Sequence, residues 1–299
     1  MKKLIKNAEA SYIVIILLLF SFTACLAAGP GSDASGSGVS EQLKYPIVLV
    51  HGIGAQDRKS MLASWSEIPD VLRHYGAEVF FGNTDAWGSY ESNAAILKKT
   101  IEKILEKTGL DRVNIIAHSK GGIDSRYLIW RHDFGGRVAS LTTISTPHHG
   151  AELADLIADQ DVIYTTIGRQ AVEMFGQLYG DQNPDLFAVL HNLTTKNMRN
   201  FNEKVYKDDR VFYQSLYTVM NRGLDDLTFY YTFLYIKGAA GPNDGVVSEW
   251  SASWGYNPRR IAEGFSHRQI INSGTQNAAG IDVSSLYVDL IRELAAKGF

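Results

Sequence analysis

The sequence predicts an α/β fold, a mostly parallel sheet with helices on both faces. Three observations carry that expectation. Short apolar runs at Tyr45–Val50, Ala77–Phe81, Val113–Ala117 and Val138–Ile144 alternate with longer segments of helical spacing. A glycine-rich turn, His51-Gly52-Ile53-Gly54, follows the first run directly. The third run turns sharply at Ser119, ahead of Gly121 and Gly122, into a helical pattern at Ile123, Tyr127, Leu128 and Trp130.

In chain order, the first segment stands outside the fold. Lys2, Lys3 and Lys6 precede an apolar stretch from Tyr12 to Phe22, too short for a span of about 20 residues and suited to an export signal. It ends in Phe22-Thr23-Ala24-Cys25, similar to a bacterial lipobox with Phe22 where leucine is usual. Residues 1–24 are therefore expected to be a signal peptide of lipoprotein type, with Cys25 lipidated on the cell envelope. Periplasmic release or secretion after a cut near Ala27-Ala28, and an uncleaved anchor, stay open. Residues 25–42 form a Gly/Ser-rich tether, and 43–299 the folded domain. Cys25 is the only cysteine, so no internal disulfide forms and the core must carry the stability. Charged residues make up 20% of the chain and no basic block stands out, which argues against a nucleic-acid partner.

Pro46 opens the first strand, where a missing donor matters least. Met61–Tyr75 has helical spacing through Leu62, Trp65, Ile68 and Leu72, with Gly76 as its stop. Asn93–Lys107 carries Leu97, Ile101, Ile104 and Leu105 on one face, and Gly109 closes it. After Ile144 comes Ser145-Thr146-Pro147-His148-His149-Gly150. Adjacent histidines on extended chain point to opposite faces and make a poor ligand pair, so a turn at the mouth of the site is expected.

From about 151 to 226 the alternation breaks. Val172, Phe175, Leu178 and Tyr179 form one stripe. Leu186, Val189, Leu190 and Leu193 form another, with Asn183 as N-cap and Pro184 as first helical residue. This insert is expected to be a helical lid over the site, or simply a packed cap. Val211–Met220 and Thr228–Lys237 both read as strands, and Val283–Lys297 as a final helix.

A strand that turns into a helix at a serine is a nucleophile elbow. The strained backbone lifts the hydroxyl clear of the sheet, and the helix N-terminus faces the space where an oxyanion would form. The turn after the first strand can aim a further backbone N–H at the same place. Asp244, in Asn243-Asp244-Gly245, sits where an acid could orient an imidazole; Asp225 and Asp226 compete from the other side of the second strand. His267 alone among the histidines lies C-terminal to Asp244, and the order Ser119, Asp244, His267 fits this arrangement. His118, beside the serine, is expected to pack or orient the elbow.

Together, Tyr-Pro-Ile-Val-Leu-Val-His-Gly, Ala-His-Ser-Lys-Gly-Gly, Ser-Thr-Pro-His-His-Gly and Asn-Asp-Gly-Val-Val-Ser, with Trp254 and His267 downstream, resemble the bacterial true-lipase family of α/β-hydrolases over roughly residues 44–298. The resemblance implies the α/β-hydrolase fold. It implies Ser119 as nucleophile, Asp244 as acid and His267 as base, with the backbone N–H groups of Ile53 and Lys120 as oxyanion hole. It implies hydrolysis of carboxylic esters, acylglycerols being the usual substrates at a membrane or droplet interface, with no cofactor. Relatives often hold calcium through an aspartate two positions after the histidine. Gln269 stands there, so no metal is expected. An acyltransferase on the same triad and a non-catalytic surface lipoprotein remain as alternatives, and the oligomeric state is open.

Overall fold

A computed structural model describes residues 43–57, 65–158, 181–271 and 280–299. The signal, the tether and the stripe at Val172–Tyr179 lie outside the described residues, as does Leu62 of the expected second-segment helix. The strands are β1 (Ile47–Val50), β2 (Val79–Phe81), β3 (Val113–His118), β4 (Val138–Ile144), β5 (Phe212–Val219) and β6 (Pro258–Glu263). The helices are α1 (Ile68–His74), α2 (Tyr90–Thr108), α3 (Lys120–Arg131), α4 (Glu152–Ala158), α5 (Leu186–Asn192), α6 (Thr195–Lys204), α7 (Tyr230–Ala240), α8 (Glu249–Ala252) and α9 (Val283–Ala296).

The six strands make one sheet in the order β2-β1-β3-β4-β5-β6, and every neighbouring pair is parallel. Alternation along the strands feeds two cores. Ile47, Leu49, Ile116 and Leu216 face one way and pack against Ile68 and Leu72 of α1 and Ile291 and Leu294 of α9. Val48, Val50, Ile115 and Leu141 face the other way, against Leu97 and Ile101 of α2 and Leu128 of α3. These side chains are almost completely buried, each stabilising the fold by roughly 1.5–3 kcal/mol over exposure. The expected parallel sheet, covered on both faces, is the one observed.

The helix boundaries follow local chemistry. The Ser89 hydroxyl accepts from the Ser92 N–H at 3.2 Å to start α2, and Gly109, at φ 70°, ends it. The helix expected from Met61 is shorter: α1 begins after Glu67, with Pro69 in its first turn. Asp185, not Asn183, caps α5, its carboxylate accepting from the Ala188 N–H at 2.9 Å, so Pro184 precedes the helix.

The strand expected at Thr228–Lys237 is helix α7. Aromatic and β-branched residues suggested a strand, but Phe229, Phe233 and Ile236 recur at i, i+4 and i+7 and are its buried apolar residues. β6 was not anticipated, since Pro-Arg-Arg-Ile-Ala-Glu is polar and half of it exposed, as an edge strand can be. β5 is a sheet strand within the stretch assigned to the insert, so the non-alternating part ends near 211.

The described part of that stretch is packed. Val189, Leu193, Met198 and Phe201 close against Ile123 of α3. A reciprocal clasp fixes its start. The Asp85 carboxylate accepts from the N–H groups of Gln182 and Asn183, and the Asp181 carboxylate from those of Ala86 and Trp87, all at 2.8–2.9 Å.

Candidate active site

The chain order of the sheet reverses direction at β1, whose neighbours are β2 and β3. The carboxyl ends flanking such a switch point leave a crevice, and both expected elbow elements lie there. Val50 is in register with Ala117, which sets His51–Gly54 beside His118 and Ser119. Close approach dictates the glycines. A Cβ on Gly52 would lie 2.7 Å from the Ser119 Cβ, and one on Gly121 only 2.5 Å from the His51 carbonyl oxygen.

Ser119 has φ 53° and ψ −130°, outside the ordinary regions for an L-residue. Its N–H donates to the Ile144 carbonyl at 2.9 Å, and its carbonyl accepts from Gly122 N–H and the Thr146 hydroxyl, which hold the strained turn from three sides. Lys120 is the first residue of α3, where backbone N–H groups have no partner within the helix. Its buried ammonium is bound by both Asp124 carboxylate oxygens at 2.7 and 2.8 Å, and Asn93 links Asp124 to the Asp85 carbonyl. Burial pushes the Asp124 carboxyl up, against the pull of Lys120. The ring nitrogens of His51 meet the carbonyls of Gly52 and Thr84 at 2.8 and 3.0 Å, bracing the loop that carries Ile53.

The structure brings Asp244 and His267 together. His267 Nδ1 donates to an Asp244 carboxylate oxygen across 2.8 Å, since a carboxylate can only accept. The other Asp244 oxygen accepts from the N–H groups of Val246 and Val247, and the His267 N–H donates to the Asp244 carbonyl at 2.8 Å. With Nδ1 carrying the proton, Nε2 of the neutral ring is bare. Asp244 follows a helix rather than a strand, yet its turn sits at the end of β5, because Asn243 accepts there from the Met220 N–H.

Asp225 and Asp226 do other work. Asp226 accepts from Arg268 Nε at 2.7 Å and from the Ser266 hydroxyl at 2.8 Å. Burial alone would raise its carboxyl, but the Arg268 guanidinium overcomes this and holds it below the usual range. Gln269 accepts from the Ser266 N–H and donates to the Asp225 carbonyl, tying the histidine loop to the same turn. His118 donates from Nε2 to the His267 carbonyl at 3.0 Å, and the two rings lie 4.6 Å apart. Burial holds His118 well below the ordinary imidazole range, so it is neutral.

His148 is fully buried rather than at a mouth. Its Nδ1 accepts from Arg126 at 3.1 Å, which leaves Nε2 to donate to Thr143 at 2.9 Å, and its ring stacks on Trp254. Burial lowers His148 strongly and brings Arg126 down to about 9. His149 points elsewhere, against Trp250. Sequence reasoning missed this Arg126 network, the Lys120–Asp124 pair and Glu152. The last accepts from Ser248 at 2.9 Å, and burial raises its carboxyl. Lys120, His148, Ser248 and Trp254 stood in the motif set, but nothing marked their partners Asp124, Arg126 and Glu152. Among the described residues no group of three or more His, Cys, Asp and Glu is placed to hold a metal. A cleft of about 960 Å³ beside β2, with Lys99, Lys103 and Lys107 in its wall, reaches His51 but none of Ser119, Asp244 and His267.

A family model described as alpha/beta hydrolase fold matches residues 45–210, more than half of the chain. The chain belongs to the α/β-hydrolase family. The chain is 32% identical over 191 residues to a triacylglycerol lipase of Burkholderia plantarii, covering 59% of this chain and 52% of that protein. It is 34% identical over 173 residues to a triacylglycerol lipase of Pseudarthrobacter phenanthrenivorans, covering 53% of each. The chain spans about half the length of these curated relatives. Among solved structures, Staphylococcus hyicus lipase superposes on this chain with a TM-score of 0.68 at 18% identity, over 88% of this chain and 99% of that one. At that identity the likeness establishes the fold.

Proposed function

We propose that the protein is a serine carboxylic ester hydrolase acting on lipid esters, acylglycerols foremost, through an acyl-enzyme on Ser119. The observation that carries this reading is the buried bond from His267 Nδ1 to Asp244, which leaves Nε2 as a base, at the end of the sheet where Ser119 stands strained. His267 takes the Ser119 proton as the hydroxyl attacks the ester carbonyl. The N–H groups of Ile53 and Lys120 receive the oxyanion, each worth about 2.7–4 kcal/mol in such sites. His267 protonates the leaving alcohol, and water repeats the cycle on the acyl-enzyme. Asp244 keeps the tautomer and steadies the imidazolium.

The lipase relatives support the choice of lipid ester. The lipobox-like Phe22–Cys25 supports export with an anchor at Cys25. The test is hydrolysis of matched short- and long-chain esters with water as the sole acceptor. Ser119→Ala is expected to lower turnover by about 10⁴-fold or more with an unchanged melting midpoint. Near-parental turnover in that variant would sink the assignment. Product formed solely when an alcohol acceptor is added would make the protein an acyltransferase.

A further inference from the structure

α7 is apolar on both sides. Phe229, Phe233 and Ile236 are buried, the two phenylalanines against Met220. On the opposite side, Leu227, Tyr231 and Leu234 repeat the same i, i+4, i+7 spacing and are 72, 68 and 47% exposed. Leu224, on the turn that packs against Tyr230, adds a side chain 62% exposed. A helix apolar all round is ordinarily buried, so this outer face calls for an apolar medium.

Its exposed charges are of one sign. Between 221 and 240 the carboxylates Asp225 and Asp226 are turned inward, onto the Asn221 and Arg222 N–H groups and Arg268 respectively. The exposed charged side chains of that stretch are Arg222, paired through Nε with Asp225 at 3.3 Å, and Lys237, which carries no carboxylate partner in the stretch, in a chain whose net charge is −3. Leucines flanked by tyrosine and cations suit the boundary of an anionic lipid surface. The face is also joined to the site. Asn243 donates to the Phe233 carbonyl at 3.3 Å, and Gly245 leaves no room for a Cβ against Phe229.

We infer that the outer face of α7 and its preceding turns is a fixed docking surface for an anionic lipid–water interface, which seats the Asp244 end of the site against the lipid. This rests on the lipid-ester reading above and names the surface that reading requires.

The test uses the chain from residue 26 onward, without the apolar Tyr12–Phe22 segment and Cys25, so that neither signal nor acylation can bind it to vesicles, and Ser119→Ala in the binding arms, so that no lipid is consumed. Partitioning is measured on phosphatidylcholine vesicles with and without phosphatidylglycerol. Leu227→Asp with Leu234→Asp is expected to weaken partitioning about tenfold or more. Lys237→Glu should weaken it only where phosphatidylglycerol is present. With Ser119 restored, the variants should turn over a soluble short-chain ester like the parent, which also reports that they fold; Tyr231→Ser serves as a milder second variant. Unchanged partitioning in all of them overturns the proposal. So does a concentration-dependent dimer that the aspartates dissolve, since the face would then be a self-interface. A parent that binds vesicles through this face but cleaves no ester sinks the hydrolase reading and leaves the docking surface supported.

Discussion

Near His267, carboxylates are told apart by what each one accepts. Asp244 takes one imidazole N–H and two backbone N–H groups, whereas Asp226 takes a guanidinium and a hydroxyl. They therefore fail differently. Asp244→Asn puts an amide where an acceptor was needed, and its kcat is expected to fall by about 10⁴-fold with little change in stability. Arg268→Met leaves the Asp226 carboxylate buried and unpaired. That variant should lose about 3–5 kcal/mol in denaturant unfolding, with kcat retained while the fold persists. The sign of the Asp226 contribution follows from its depressed folded pKa. It is present above the unfolded carboxylate pKa and fades as pH falls through the folded one, so the penalty of Arg268→Met should shrink in acid. The sequence favoured Asp244 by chain order and topology. The partnership of Asp226 with Arg268 was not legible, because nothing local marks a residue 42 positions away as its counter-ion.

Elements were legible where their pattern came from a single buried face. β4 was read to the residue, and α2 to within three residues at either end, because alternation or the helical stripe is clean there. α7 was misread because both its faces are apolar, so composition outweighed period, and β6 was missed because an edge strand need not be apolar. The clasp between Asp85 and Asp181 was equally invisible, since it joins side chains to backbone N–H groups across 94 to 98 positions. Removing one half tests it. Asp85→Ala orphans the N–H groups of Gln182 and Asn183, and should cost about 1–3 kcal/mol. It should also make the chain near 181–183 more readily cut in limited proteolysis, while Asp70→Ala, an exposed acid in a surface pair, should do neither.

At the scale of the molecule, one topological fact places the candidate residues: the sheet reverses order at β1, so the loops after β1 and β3 lie side by side, and the later turns of β5 and β6 bring Asp244 and His267 to the same end. That much follows from alternation and chain order. What the sequence did not reveal is how the histidines behind this end are held. His118 and His148 are both buried as neutral rings whose hydrogen bonds fix their tautomers, one donating to a carbonyl and the other accepting from a guanidinium that cannot accept in return. Their folded pKa values lie below the ordinary 6.5, so the unfolded chain takes up protons first as pH drops. Stability should therefore fall from about pH 6.5 downward, by about 1.4 kcal/mol per pH unit for each ring, until the folded values are reached. The carboxyls that burial raises, Asp57, Asp124, Asp181 and Glu152, act with the opposite sign, since the folded state binds their protons more readily. The total slope mixes both groups, and single variants separate them. Urea midpoints measured from about pH 8 to about pH 5 should show a slope in His118→Phe or His148→Phe shallower by one ring's share, whatever the offset in stability. A slope identical to the parent's in both variants would mean that these rings take up protons as readily in the folded state as in the unfolded one, which the hydrogen bonds of His118 and His148 do not allow.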